Sequence, residues 1–290
     1  MTEENPRQVI TRRSFLKLTG AITFAALGAL TTYSLLGNEA DSPVVERVQI
    51  PIPSLPAALE GFRIAQISDI HLYPFTTIEL VDLAVQMANR LEPDLTVLTG
   101  DYVWHHTEPI FDLVPSLAQL NAKHGVYAIL GNHDLWTDVK VITHAIEQEG
   151  LPLLVNQGVS ISVGKSTLYL AGLDDGWSGK PDLAEAMANH PGDAITVLLM
   201  HEPDLAPRYA PDKRIHLQLS GHSHGGQVRL PFYGALVLPY LSWKYPMGLY
   251  NLDGMWLYTN RGLGTTNVPV RVNCAPEITE LTLVNVYLQE

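Results

Sequence analysis

Aspartate, asparagine and histidine gather in this sequence where apolar runs stop. Phe62 to Ser68 runs into Asp69 and His71, Leu95 to Gly100 into Asp101, and Val126 to Gly131 into Asn132, His133 and Asp134. Further on, the run ending at Met200 delivers His201, and the run ending at Gly221 delivers His222 and His224. Asp69 and Asp101 offer carboxylates, Asn132 an amide oxygen, and His71, His201, His222 and His224 imidazoles. This mixed nitrogen and oxygen set suits Mn, Fe, Zn, Co or Ni better than Ca, and the single cysteine, Cys274, argues against a thiolate-bound structural zinc. Seven donors are too many for one ion. A carboxylate such as Asp101 can bridge two cations about 3.5 to 4 Å apart, and a hydroxide held between them can attack phosphorus in line.

For residues so far apart to meet, the runs before them must be neighbouring strands. Phe62 to Ser68, Leu95 to Thr99, Val126 to Leu130, Ile195 to Met200 and Ile215 to Ser220 are rich in β-branched residues and stop at Gly, Asp or Asn, as buried strands do. Helix-like stretches lie between the first three: Thr77 to Arg90, with apolar Ile78, Leu80, Val81, Ala84, Val85 and Met87, and Pro109 to Leu120. Strand, helix and strand at a period of about thirty residues indicate βαβ units and a parallel inner sheet. In open α/β sheets the carboxyl ends of the strands form the ligand crevice, which would bring the seven donors together. The second half has shorter alternating pieces, Val159 to Val163, Thr167 to Ala171, Leu249 to Leu252 and Met255 to Tyr258, which predict a second, more antiparallel sheet closed by Ile278 to Leu288. The expected fold is α/β, a two-sheet β-sandwich flanked by helices in αββα layers.

The chain has 290 residues, 46% of them hydrophobic and 17% charged, which is enough apolar material for a sizeable core and excludes a disordered, collagenous or disulfide-framed protein. With 18 Lys and Arg against 30 Asp and Glu, the net charge of -12 would repel a polyphosphate, so nucleic acid is not an expected partner. The amino terminus reads differently. Arg12-Arg13-Ser14-Phe15-Leu16-Lys17 precedes an uncharged stretch from Leu18 to Asn38 diluted by Thr and Gly, the layout of a twin-arginine export signal. That stretch also has the ~20 residues needed to span a bilayer, so a retained anchor in the cytoplasmic membrane is the expectation. Residues 1–43 are therefore assigned to a signal or signal-anchor segment and residues 44–290 to one domain. The expected location is outside: the outer face of a bacterial cytoplasmic membrane, or the cell envelope. Export of an already folded protein fits metal inserted in the cytoplasm beforehand.

The motifs Asp69-Ile70-His71, Gly100-Asp101, Gly131-Asn132-His133-Asp134, His201 and Gly221-His222-Ser223-His224 resemble, in order and spacing, those of the calcineurin-like metallophosphoesterases. The resemblance runs from Phe62 to Arg261 or beyond. It implies that Asp69, His71, Asp101 and His224 hold one divalent metal and Asp101, Asn132, His201 and His222 a second, with Mn favoured and His133 as general acid. The stretch Gly221 to Gln227, with Arg261-Gly262-Leu263-Gly264 and Pro276-Glu277, is similar to a narrower bacterial branch of exported or membrane-anchored phosphodiesterases. Members of that branch are often described, by similarity, as UDP-2,3-diacylglucosamine hydrolases. Those lipid enzymes work on the cytoplasmic face, so an exported protein would not meet that substrate.

The sequence also departs from the family. In the protein Ser/Thr phosphatase branch, Gly-Asp is followed two residues later by Asp-Arg, whereas Gly100-Asp101-Tyr102-Val103 runs into Trp104-His105. The carboxylate that would orient His133 is absent there, as is a phosphate-clamping arginine, and Asp134 becomes the candidate to orient His133. His105, His106, His124, His144, His190 and His216 read as ordinary surface or core residues, with the alternative that His105 and His106, four and five residues beyond Asp101, reach the mouth of the site. Trp104, Trp136 and Trp177 could stack on a sugar, base or lipid headgroup or simply pack, and Arg261 and Arg271 could bind phosphate or form salt bridges. The leading function is a dinuclear metal-dependent phosphohydrolase, most simply a phosphodiesterase acting on a phosphoester substrate. The rival is a metal-stabilised cell-envelope binding protein without turnover.

Overall fold

The structure is a computed structural model and describes residues 11–286. The chain divides at Asn38/Glu39 into two units. The first is a single helix, α1 (Arg12–Leu36), which begins at the arginine pair. No helix among the described residues is long and apolar enough to cross a membrane. Residues 1–10 of the assigned signal segment lie outside the described residues.

The second unit begins with β1 (Val44–Ile52), β2 (Arg63–Ile67), α2 (Ile78–Arg90), β3 (Leu95–Leu98), α3 (Ile110–Leu117), β4 (Val126–Ala128), α4 (Asn132–Thr137) and α5 (Val139–Gln148). It continues with β5 (Gln157–Val163), β6 (Ser166–Gly172), α6 (Leu183–Ala186), β7 (Ile195–Leu199), α7 (Ala206–Tyr209) and β8 (Ile215–Ser220). The last strands are β9 (Arg229–Leu230), β10 (Gly234–Ala235), β11 (Gly248–Leu252), β12 (Met255–Thr259) and β13 (Glu277–Asn285). One sheet has the order β1-β13-β2-β3-β4 and the other β11-β12-β8-β7-β6-β5, while β9 and β10 form a small separate ribbon.

Period-two alternation explains the layers. Ile64 of β2 and Val97 of β3 point into the core between the sheets, where they meet Leu168, Leu170, Val197, Leu199, Leu217 and Leu219 of the facing sheet. Ile67 and Leu98 point the other way, onto the apolar faces of α2, α3 and α5. Leu198 and Leu257 cover the outer face of the second sheet together with residues of α6 and α7. The helix α2 shows how sequence enforces this packing. Thr77 caps its first turn, Glu79 lies near its positive end, and Leu80, Val81, Ala84, Val85 and Ala88 recur on one face and are buried. Burying a leucine or valine fully contributes about 1.5 to 3 kcal/mol, so replacing Val81 by Asp would detach this layer.

The αββα expectation holds, with two corrections. The carboxyl-terminal strand does not close the second sheet: β13 inserts into the first, parallel to β1 and antiparallel to β2. The end of the predicted strand, at residues 287 and 288, lies outside the described residues. The second sheet is also less antiparallel than expected, because β6, β7, β8 and β12 pair in parallel and only its outer pairs, β5 with β6 and β11 with β12, are antiparallel. Alternation of apolar and polar residues records two unlike faces, but not the direction of the neighbouring strand.

Candidate metal centre

All seven predicted ligands are buried and lie just beyond strands at one end of the sandwich. Asp69 and His71 follow β2, Asp101 follows β3, and Asn132 opens α4 after β4; His201 follows β7, and His222 and His224 follow β8. Asp69, His71 and His224 bring ligand atoms within 4.8 Å of one another, and Asp101, His201 and His222 do the same. Asp101 links the groups: its Oδ2 is 3.4 Å from His71 Nε2 and 3.2 Å from His201 Nε2.

The chain turns sharply at these positions. Asp69, His71, Asp101, His222 and His224 all have positive φ, between 46° and 69°, a region that costs a non-glycine residue on the order of 1 kcal/mol or more. Hydrogen bonds between loops hold them there: Asp69 N donates to Gly100 O, His71 N to Asp101 O, and Gly264 N to Asp69 O. His222 N donates to Asp69, and Ser68 Oγ donates to Asp69 Oδ2. The motif glycines permit this crowding. A Cβ on Gly131 would come 2.7 Å from Asp101 N, and one on Gly221 would run into Ser68 and Asp69.

Backbone carbonyls fix the imidazoles. His71 Nδ1 donates to Val103 O at 3.2 Å and His201 Nδ1 to Thr99 O at 2.6 Å, leaving each Nε2 to face the centre. His222 is reversed, since its Nε2 donates to Tyr240 O at 2.7 Å and Nδ1 is left inward. His71 Nε2 and His224 Nε2 stand 3.1 Å apart, and Asp69 Oδ1 is 3.5 Å from His224 Nε2. Asn132 Oδ1 and His201 Nε2 are buried with no hydrogen-bond partner, although His201 Nε2 is close enough to Asp101 for strong Coulombic attraction. A buried acceptor left without a partner, as Asn132 Oδ1 is, beside two carboxylates is costly unless something electrophilic satisfies it, so the donor set fits divalent cations.

The titration behaviour agrees. Burial pushes His71 down to about 3 and His222 to about 4, and holds His224 well below the usual range with help from His71 and Arg271, so all three rings are neutral. Burial also opposes charge on His201, but Asp101, Asp69 and Glu202 outweigh it and raise its affinity for a proton. Burial likewise works against the charged form of Asp101, yet His201, His133 and His71 hold it well below the usual carboxylate range. Burial raises Asp69 to about 6, with Asp101 adding repulsion against the attraction of His201. A proton on His201 thus balances charge where cations would otherwise do so.

His133 lies beside the centre and lines the same cavity as Asp101, Asn132, His222 and His224. Its ring stacks on Trp104 at 4.2 Å, and its Nδ1 donates to Trp104 O at 3.0 Å. This corrects the expectation for Asp134. The Asp134 carboxylate accepts from Gly131 N, Asp101 N and Tyr102 N, each at 2.9 Å, so it is committed to backbone and does not orient His133. As the third residue of α4 it points back over its own helix start, away from the neighbouring ring. His105, read from sequence as ordinary, also lines the cavity and packs on Trp104. Arg261 pairs with Glu46 and Glu277, and the buried Arg271 donates to the carbonyls of Arg261, Gly262, Gly264 and Cys274, so neither clamps a ligand in the cavity.

Residue types do not reveal the carbonyls of Thr99, Val103, Trp104 and Tyr240, because any residue supplies one. Asp134 did carry a signal, the helix-start spacing Gly131-x-x-Asp134.

Comparison with known proteins gives concordant results. The family model described as calcineurin-like phosphoesterase matches residues 62–226. The metallophosphoesterase YkuE of Bacillus subtilis is 35% identical over 286 residues, covering 94% of this chain and 98% of its own. The phosphodiesterase YaeI of Escherichia coli is 32% identical over 232 residues, covering 77% and 82%. Among solved structures, the sulfate thiohydrolase SoxB of Thermus thermophilus shares the fold, with a TM-score of 0.50 at 12% identity over 80% of this chain and 58% of that one.

Proposed function

Because the chain belongs to the calcineurin-like phosphoesterase family, we propose that it hydrolyses a phosphodiester with two divalent metal ions and with His133 as proton donor to the leaving group. The observation that carries this reading is the pair of buried Asp and His clusters joined at Asp101 and opening, with His133, into one cavity. Asp69, His71 and His224 would hold one ion and Asn132, His201 and His222 the other, with Asp101 shared. When bound, the ions supply Lewis acidity and a water activated as nucleophile.

The chain's own groups do the rest. Carbonyl bonds to Nδ1 hold His71 and His201 with Nε2 inward, and the neutral rings offer lone pairs without a proton to displace, His201 excepted. His133 is fixed by the Trp104 carbonyl and by stacking, which leaves Nε2 as its nitrogen for the departing oxygen. Among the described residues no lysine or arginine lines the cavity. A diester, with one negative charge, suits such a site better than a dianionic monoester, and a relative 32% identical is named a phosphodiesterase. The same lack of counter-charge weakens a UDP-2,3-diacylglucosamine reading. The mixed donor set suits Mn, Fe, Zn, Co or Ni, and the family resemblance favours manganese among them. The arginine pair at the start of α1 supports export by the twin-arginine machinery to the outer membrane face or the envelope.

The test is turnover of bis-p-nitrophenyl phosphate by purified protein, lost on chelation and restored by Mn. Metal-dependent thermal stability with no turnover of any ester would instead favour a non-catalytic binding protein.

A further inference from the structure

Resting on the phosphodiesterase reading, we propose that the cavity beside the metal centre is a slot for the apolar chain of an amphiphilic phosphodiester. The cavity has a volume of about 530 Å³ and is continuous with the metal centre. Trp136 and Trp177, packed against His133 and His222, supply its aromatic lining, and Leu236, Val237, Pro239 and Val268 its aliphatic lining. The aromatic wall is already assembled, because Trp136 and Trp177 meet edge to face at 4.8 Å, Trp177 packs on Tyr240 at 5.4 Å, and Trp136 Nε1 is tied to Ser178 Oγ.

Three observations select the occupant. Among the described residues no lysine or arginine lines the cavity, so a second phosphate further along the ligand would find no counter-charge there. Two of the polar lining side chains make internal hydrogen bonds: the Gln227 amide donates to Thr266 O and accepts from Thr266 N, and Ser223 Oγ accepts from Gly225 N. A nucleobase, recognised through hydrogen bonds at its edge, would have to compete with these internal bonds. The aliphatic wall also opens onto exposed apolar residues, with Val237 76% exposed and Phe232 and Tyr233 exposed in the preceding turn, so a chain longer than the slot still meets apolar surface. An alkyl chain gains from every methylene it buries there and asks for no hydrogen bond.

The test is calorimetric binding of methyl n-alkyl phosphates, from methyl to octyl, to the Mn-loaded and the chelated protein. Affinity should rise about fourfold per methylene until the slot is filled, on the order of 10²-fold or more over the series. Both forms should show the slope, because the walls carry no metal ligand. Val237→Asp and Trp177→Ala should each flatten it. A flat series, a slope unchanged in both variants, or tighter binding of the methyl ester of uridine 5′-monophosphate than of the octyl ester would overturn the proposal. A slope without turnover of any ester would refute the phosphodiesterase reading and leave the slot standing. Turnover of bis-p-nitrophenyl phosphate with a flat series would refute the slot alone.

Discussion

Replacing Asp134 separates a framework role from a catalytic one. Its Oδ2 accepts from Asp101 N and Gly131 N and its Oδ1 from Tyr102 N, all in the buried interior. Asp134→Ala leaves three buried N–H groups without an acceptor, at about 1 to 3 kcal/mol each. It also releases the left-handed backbone at Asp101 and removes a buried carboxylate that burial, with Asp101, has raised to about 7, which offsets part of the loss. The expected net loss is about 3 to 5 kcal/mol, a large share of the roughly 5 to 15 kcal/mol that stabilises a typical domain. Asp134→Asn can keep its oxygen on Asp101 N and Gly131 N and lose only the Tyr102 bond, so about 1 to 2 kcal/mol is expected. Urea denaturation of chelated proteins gives the midpoints, and elemental analysis with turnover gives metal and rate. Asp134→Asn should keep its metals and most of its rate. A wild-type midpoint for Asp134→Ala, or a roughly 100-fold slower Asp134→Asn with metals and midpoint intact, would return Asp134 to the reaction and refute the argument.

His133→Asn should keep its metals, retain a fair part of its rate on a nitrophenyl diester and lose about 10²- to 10⁴-fold on an alkyl ester, whose alkoxide leaves poorly without a proton; equal losses on both substrates would remove the proton-donor role. The pH dependence of stability tests the buried rings. His71, lowered by burial to about 3 from 6.5, binds fewer protons folded than unfolded between those values. Its stabilising contribution is therefore complete above pH 6.5 and is lost as pH falls through 3. Chelated wild type should accordingly lose stability relative to His71→Gln on acidification from pH 6.5 to 4, and a constant difference in urea midpoint across that window would contradict the assignment. Arg12→Lys with Arg13→Lys should leave the protein in the cytoplasm, as cell fractionation would show; normal export of the double variant would sink the twin-arginine assignment.

The parts legible in the sequence are those in which pattern and chemistry coincide at one position. Each buried strand shows as a run that stops, and Asp69, Asp101, Asn132, His201 and His222 stand at those stops, so their convergence followed from the fold class alone. The sheet to which β13 belongs was not legible, because Thr279, Leu281 and Leu283 alternate in the same way beside either sheet and only the pairing with β1 and β2 decides. The support of His133 was missed for a different reason. The carboxylate next to it in sequence is Asp134, whereas the partner is the carbonyl of Trp104, 29 residues away along the chain. His105 entered the cavity lining through the same loop, which folds Trp104 back over His133.

The central claim is a dinuclear centre shared through Asp101. Anomalous difference maps from crystals grown with Mn, together with metal content in solution, test it directly. The account predicts two peaks about 3.5 to 4 Å apart, one against Asp69, His71 and His224 and the other against Asn132, His201 and His222, with Asp101 touching both and loss of both ions in Asp101→Ala. One ion per chain in the wild type, or two retained in Asp101→Ala, would contradict it.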